Sequence, residues 1–406
     1  MNEMSSVPQM PAPAPVPAPS VKVDFSGTRG DFFRLVRNGA VLELITFGFY
    51  RFWLATDIRR HLWSHTSVDG DAPEYTGRGR ELLIGFLFAM AILVPIYVAY
   101  FVLTIEAERA KAFASIPLFL FFYMFGQFAI YRARRYRLTR TVWRGVRFWM
   151  DGSGWAYALR AFGWGLLATL TLGALLPWRE ASLERYKMRH CHYGDLQGSF
   201  HGRGSELFKR GWMLWLAALS PFIVTLGLAI AYGDQKEPKW VDFAIFLMVI
   251  GWFIALPFIF AAFRAIEWRW RISGIRFGEV SFGSDLTSGS LCGFYWKVIG
   301  WYVLIALAFG VYLTTCVVVI AGFDDPKHIA AQVNYALAAA IVIGYLATIL
   351  ATNVMLRVYL MRDIWARVAA SVTVYHLEAA ANVGAQGELA DAIGEGLDGG
   401  LDVVGL

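Results

Sequence analysis

The sequence has few charged residues and few cysteines, and it lacks the patterns of common catalytic and metal sites. Charged side chains make up 17% of its 406 residues and hydrophobic ones 57%, more apolar than a typical soluble domain. Its three cysteines, Cys191, Cys292 and Cys316, form no Cys-x-x-Cys pair, so neither a disulfide framework nor a thiolate metal site is indicated. No paired-carboxylate, Ser/His/Asp or Cys/His arrangement recurs at a catalytic spacing. We therefore expect no enzyme activity, no metal and no cofactor.

Long uncharged segments are the main feature that the sequence does have. The segment 82–103 carries no charge over enough residues to cross the ~30 Å hydrocarbon core of a bilayer as a helix. Segments of this kind predict about six spans in three hairpins, and hence an all-α, polytopic transmembrane helical bundle. They cover residues 82–104, 114–131, 212–232, 241–263, 298–322 and 333–356.

Two further apolar segments, 38–50 and 161–178, do not fit a simple crossing. The first reaches only roughly 18 Å as a helix and contains Glu43, and the second reaches roughly 27 Å. With six spans and both termini cytoplasmic, only 5 of the 37 lysines and arginines lie outside, as the cytoplasmic preference of basic residues requires. We interpret both segments as re-entrant or interfacial half-helices.

The block Gly-Arg-Gly-x-Glu-Leu occurs twice, in "YTGRGREL" (75–82) and "FHGRGSEL" (200–207). A shift of 125 positions aligns the blocks and also pairs Thr46 with Thr171, which indicates an internal repeat. A second pairing matches "WRGVRF" with "ISGIRF". Each unit contains an even number of spans, so successive units should have the same orientation in the membrane, as parallel repeats. The predicted divisions are a disordered Pro/Ala tail (1–20), membrane units (21–132, 133–263 and a degenerate 264–367) and a cytoplasmic acidic Gly-rich tail (368–406).

The stretch "LITFGFYRFWLATDIRRHLWSHTSVDGDAPEYTGRGRELLIGF" (44–86) resembles the signature of the YjgN-like family of bacterial inner-membrane proteins. The resemblance extends from Phe25 to about Arg367 and leaves both tails outside. It implies a helical fold and a location in the cytoplasmic membrane. It implies no activity, because the family is classed as a domain of unknown function.

The repeated block is the first candidate site. Its glycines permit a sharp turn, and a carboxylate in the first turn of a helix interacts favourably with the helix dipole. We interpret the block mainly as a loop-to-helix stop; the alternative is an arginine site for an anionic headgroup or a phosphate-bearing solute at a helix N-terminus. The candidate binding residues are Gly77, Arg78, Gly79, Glu81, Gly202, Arg203, Gly204 and Glu206.

The second candidate is a solute pathway formed by the two half-helices. A carboxylate in an apolar run suggests a functional role, and Gly beside Thr is typical of a helix break. Two breaks that meet at a unit interface would form a solute site, as in many transporters. Half-helices that only pack against the hairpins are the alternative. The candidate residues are Glu43, Thr46, Gly48, Thr171 and Gly173.

The histidines and the basic run favour structural roles. His65 and His190 are repeat-equivalent, but their surroundings share no ligand spacing, so no metal site is expected. The run "YRARRYRLTRTVWRGVRFW" has the charge and aromatic interleaving of a nucleic-acid binder, but beside a membrane helix it is typical of a topology determinant. We expect the bilayer, with anionic lipids at the cytoplasmic face, as the partner, and no nucleic acid.

Two functional hypotheses remain open at the level of sequence. The leading one is a transporter or channel-like protein for a small solute. The other is a non-transporting membrane scaffold or a protein that interacts with anionic lipids. The short outside loops leave little room for the ligand domain of a receptor.

Overall fold

A computed structural model describes residues 19–106, 111–232, 239–321 and 335–390. Residues 1–18, which belong to the predicted Pro/Ala tail, and residues 391–406, which belong to the predicted acidic tail, lie outside the described residues. The described part of the predicted C-terminal tail, 368–390, contains the end of a helix and a strand.

Helices and short strands alternate along the described chain. The helices are α1 (Arg29–Ile45), α2 (Arg51–Ser64), α3 (Gly79–Glu106), α4 (Lys111–Thr139), α5 (Gly154–Leu170), α6 (Leu176–Arg189), α7 (Gly204–Tyr232), α8 (Lys239–Gly274), α9 (Cys292–Ala321), α10 (Tyr335–Met355) and α11 (Asp363–Ala370). A π-helical segment (Leu356–Arg362) joins the last two, and a 3-10 turn (Leu377–Ala380) follows the last strand. The strands are β1 (Ser20–Phe25), β2 (Thr66–Val68), β3 (Glu74–Tyr75), β4 (Thr141–Trp143), β5 (Val146–Met150), β6 (Cys191–Tyr193), β7 (Leu196–Phe200), β8 (Ile275–Phe277), β9 (Val280–Ser284) and β10 (Val372–Tyr375).

The all-α prediction is wrong, because the ten strands form one antiparallel sheet in the shape of a half-barrel. The strand order is β2-β1-β10-β9-β8-β7-β6-β5-β4-β3. The basic loops between the helices supply its hairpins. Val68, the last residue of edge strand β2, forms an isolated antiparallel bridge with Asp71, which precedes edge strand β3. We refer to this sheet as the half-barrel.

Tight turns close the hairpins of the half-barrel at the end away from the helices. Asp69 and Gly70 have φ angles of 56° and 82°, and Arg144 and Gly145 have 49° and 78°. Two successive positive φ angles define the type I′ turn, whose twist matches that of the flanking strands. The β6–β7 and β8–β9 hairpins each turn at a glycine with a φ of 55°.

The second pairing made from the sequence has the wrong register. Trp143 directly precedes the β4–β5 turn and Phe277 directly precedes the β8–β9 turn, so these residues are structural counterparts. The sequence alignment instead matched Gly145, which lies in a turn, with Gly274, which is the last residue of α8. The sequence match between these two glycines is therefore coincidental, because they occupy different local structures.

Six described helices are long and apolar enough to cross a membrane, the number predicted from the sequence. The most apolar window of each is at most 17% buried, and in two of them it is 0% buried. Apolar helices with such exposed surfaces need a bilayer around them, as expected of a multi-pass membrane protein. They cover Gly79–Val102, Ile116–Thr139, Gly204–Tyr232, Trp240–Gly274, Cys292–Val319 and Leu337–Ala370.

The segments 38–50 and 161–178 form the tips of two helical hairpins, α1–α2 and α5–α6. At each tip the threonine hydroxyl, of Thr46 or Thr171, donates to the carbonyl four residues earlier, at 2.7 and 2.9 Å. The following glycines, Gly48 and Gly173, have φ angles of 87° and 86°. Each chain therefore reverses direction at its Thr-x-Gly sequence.

The α5–α6 tip reaches alongside the spans. The indole nitrogen of Trp215 donates to the carbonyl of Leu172 at 3.0 Å. Trp215 lies eleven residues beyond Gly204, the first residue of α7, which is roughly 16 Å along a helix. At the tips the Phe47 side chain is 94% exposed and that of Leu172 is 73% exposed. These apolar side chains fit contact with lipid at partial membrane depth.

Candidate functional site

The repeated Gly-Arg-Gly block forms the junction between a strand and a span. It connects β3 to α3 and β7 to α7. A Cβ atom on Gly79 would lie 2.8 Å from Cα of Trp53, and one on Gly204 would lie 2.8 Å from Cα of Trp178. Only glycine allows each span to begin this close to the backbone of the neighbouring helix. The second glycine of each block is thus required for the transition from the loop to the helix.

A third junction of the same type occurs where β5 meets α5. Met150, which is buried, is followed by Gly152 and Gly154 at the spacing of the other two junctions. A Cβ atom on Gly154 would lie 2.8 Å from the ring of Phe128. No arginine lies between these two glycines. The structural pattern that the three junctions share is therefore a buried apolar residue followed by two glycines at positions two and four. The Gly-Arg-Gly motif does not reveal the third copy, because that copy has no arginine.

The carboxylates of the two arginine-containing junctions have different surroundings. Glu81 accepts a hydrogen bond from the Tyr136 hydroxyl at 2.8 Å and pairs with Arg140 at 2.8 Å. In the second junction Trp270 packs where Tyr136 packs in the first, and its indole nitrogen donates to a backbone carbonyl of the junction at 3.0 Å. Glu206 is left exposed. The first junction is closed by an ion pair, and the second is open.

A polar cavity of about 590 Å³ adjoins this open junction. Arg210 from α7, Arg269 from α8 and Arg276 from β8 line it, together with the acidic residues Glu206 and Asp285. We call this cavity the arginine basin. The rest of its lining comes from His201, Gly202, Trp270, Ser273, Gly274, Gly283, Ser284, Thr373 and Tyr375.

The arginine basin has an excess of cationic side chains at the start of a span. Arg276 donates to the carbonyls of Ser273 and Ile275 at 2.9 and 2.7 Å, which fixes its guanidinium at the basin wall. Arg210 and Arg269 are exposed. The chemistry of the site is recognition of an anion by arginine hydrogen-bond donors.

The predicted binding residues are thus distributed over two places. Gly202 and Glu206 line the arginine basin, whereas Arg78 and Arg203 are exposed at the starts of α3 and α7 and lie outside its lining. Gly77 is buried within the first junction. The sequence did not single out the three basin arginines, because they come from three different elements.

The predicted solute-pathway residues have partners within the fold. Glu43 pairs with Arg357, in the π-helical segment after α10, at 3.1 Å. An opposite charge offsets the cost of a carboxylate in apolar surroundings. The hydroxyls of Thr46 and Thr171 bond to backbone at their own turns.

A buried charge cluster joins α6 to α8 beside the second junction. Glu184 accepts from Lys187 Nζ at 2.6 Å and pairs with Arg271 Nε at 3.0 Å. Burial raises the pKa of Glu184, but the positive charges of Lys187, Arg271 and Arg134 outweigh it and hold this pKa at about 2. The sequence gives only a weak signal for the cluster, the Glu-x-x-Lys spacing within a basic helix.

The histidines make local polar contacts. His65 Nδ1 lies 2.7 Å from the carbonyl oxygen of His61, and His190 Nδ1 lies 2.8 Å from a carboxylate oxygen of Asp151. Burial lowers the pKa of His61 and favours its neutral form. Within the described ranges, no group of three His, Cys, Asp or Glu residues has the arrangement of a metal site.

The chain was compared with known protein families, curated proteins and solved structures. A family model described as a bacterial protein of unknown function (DUF898) matches residues 20–323, well over half of the chain. Neither a curated protein nor a solved structure matches the chain.

Proposed function

The chain belongs to DUF898, a bacterial family of unknown function, and we propose that it is a membrane scaffold that binds anionic phospholipid headgroups. The expected YjgN-like membership is confirmed. The observation that carries the proposal is the arginine basin at the start of α7. In the proposed arrangement the half-barrel and both termini face the cytoplasm, and the spans lie in the bacterial inner membrane.

The position of the basin suits a headgroup better than a freely diffusing solute. Arg210 lies in the second turn of a span, two residues before Trp212, which is 40% exposed. Tryptophan and arginine at the end of an apolar helix are typical of the headgroup region. A phosphodiester at that depth would meet Arg210, Arg269 and Arg276 without leaving the bilayer surface.

Transport has less support from the geometry. The hypothesis rested on two helix breaks that meet at a unit interface and on a carboxylate in an apolar run, but Glu43 pairs with Arg357 and each threonine hydroxyl stabilises its own turn. The exposed surfaces of the spans support contact with lipid on most sides.

Lipid binding can be tested by native mass spectrometry of the full chain with phosphatidylglycerol or phosphatidylcholine added. The double variant Arg210→Gln, Arg269→Gln should bind phosphatidylglycerol about 30-fold more weakly, since each basic side chain contributes about 1 kcal/mol at an anionic surface. Phosphatidylcholine binding should be unchanged.

The matched control is Arg189→Gln, which removes an exposed arginine from the end of α6 next to the half-barrel. This variant should retain phosphatidylglycerol binding. Equal binding by the double variant and the control would contradict the proposal. Solute flux through the purified protein in liposomes, together with an intact flux in the double variant, would favour transport instead.

A further inference from the structure

The half-barrel encloses a second cavity, of about 310 Å³, which we call the chamber. Its lining comes from nine of the ten strands and includes the side chains of Phe277 and Phe282. Trp63 and Trp365 border it towards the helices, and Ala380 of the 3-10 turn borders it at the opposite end. The volume is at the lower end of the range of small-molecule sites, roughly 300 to 1,000 Å³.

The polar atoms at the helix end of the chamber are satisfied by the wall. Trp63 and Trp365 stack with ring centroids 4.9 Å apart. The indole nitrogen of Trp63 donates to Thr141 Oγ1 at 3.1 Å, and that of Trp365 donates to Thr66 Oγ1 at 2.9 Å. Both threonine hydroxyls donate in turn to helix carbonyls. An occupant would therefore meet mainly the apolar surfaces of these side chains.

The polar atoms at the turn end of the chamber are also satisfied by hydrogen bonds within the wall. The Trp143 indole nitrogen donates to the carbonyl of Asp71 at 3.1 Å, and the Tyr193 hydroxyl donates to the carbonyl of Trp143 at 3.0 Å. No charged side chain lines the chamber as described. A cavity of this chemistry excludes ions and hydrogen-bonding solutes and favours an apolar ligand.

We propose that the chamber binds one acyl chain, of a fatty acid or of a membrane lipid, whose headgroup stays outside the half-barrel. Acyl chains are the abundant apolar molecules beside a sheet attached to six spans. Closed and partly closed antiparallel sheets of this size hold small ligands in this way.

This inference does not rest on headgroup binding at the arginine basin, because the two cavities share no lining residue. Neighbouring residues alternate between them: Phe282 and Val374 line the chamber, whereas Gly283 and Thr373 line the basin. Successive residues of a strand point to opposite faces. The chamber is thus inside the half-barrel and the basin is outside.

The test is photolabelling of the full chain in nanodiscs with dodecanoic acid that carries a terminal diazirine, followed by peptide mapping. A second arm uses phosphatidylglycerol that carries the same chain. We expect label on peptides that contain β8, β9 and β10, from the acid alone if free fatty acid is the ligand, and from both if a lipid chain enters.

Ala380→Phe places a ring in the chamber and should lower the labelling of these strand peptides about tenfold. Ala379→Phe is the matched control, because residue 379 is exposed in the same 3-10 turn. Equal labelling of the two variants, or label confined to the spans, would overturn the proposal. If Ala380→Phe does not fold, Leu196→Phe, which fills the chamber from β7, replaces it with the same expected loss.

Discussion

Glu184 should contribute strongly to the stability of the fold, since its side chain is 1% exposed and contacts two cations. Replacing it by glutamine leaves Lys187 and Arg271 without their shared anion. Loss of one partner from a buried charge cluster costs about 3–5 kcal/mol. We therefore expect Glu184→Gln to lower the thermal unfolding midpoint of the protein in detergent, and Glu279→Gln, at an exposed hairpin turn, to leave it unchanged.

The same carboxylate predicts a pH dependence. The pKa of Glu184 is about 2 in the folded protein, well below the ordinary glutamate value of 4.5. A depressed pKa contributes stability that is fully present above pH 4.5 and is lost as the pH falls towards 2. Unfolding midpoints measured across this interval should fall more steeply in the unmodified protein than in Glu184→Gln; parallel curves would contradict the assignment.

At the residue scale, structurally equivalent positions are easier to recognise in the sequence than interaction partners. The 125-position repeat correctly paired Thr46 with Thr171, which have the same turn geometry. It could not predict that Glu81 is bound by Tyr136 and Arg140, because these partners lie in α4 and directly after it, more than fifty residues later. A contact between distant segments leaves no periodic signal in a single sequence.

At the scale of elements, the strand-to-helix junction makes a direct prediction for α7. Gly204→Ala should destabilise the protein by about 1–3 kcal/mol, because the added methyl would overlap the backbone of α6. Gly227→Ala in the same helix is the control, since nothing lies within 4 Å of its Cβ position. The measurement is again the thermal midpoint in detergent, and equal midpoints for the two variants would refute the close-packing argument.

The spans were predictable from sequence and the strands were not, for a physical reason. A span must be long and uncharged to cross a bilayer, and that pattern is visible in any single segment. The strands are two to six residues long, and they lie in loops whose basic charge indicated only sidedness. Their stability comes from neighbouring strands and from the buried faces of the helix ends, as for Tyr75 and Phe200 at the junctions.

At the scale of the whole molecule, one sheet constrains the topology of the chain. The described β-hairpins, which follow α4, α6 and α8, all belong to the half-barrel, as do the first and last described strands. Ser67 in β2 and Ser199 in β7 should therefore lie on one side of the membrane. Single cysteines at these positions, in a variant whose native cysteines are alanine, should react with an impermeant maleimide from the same side in oriented vesicles. Labelling from opposite sides would contradict the fold.

The pairing of β1 with β10 has a consequence for the order of synthesis. Ser20 pairs with Tyr375, so β1, the first described strand, gains its second neighbour only after the last described span has been made. Until then β1 and β9 each present an unpaired edge, which is open to association with other chains. A chain that stops before Val372 would keep both edges permanently. The last described strand therefore joins the N-terminal strands β1 and β2 to the rest of the half-barrel, and it does so last in the order of synthesis.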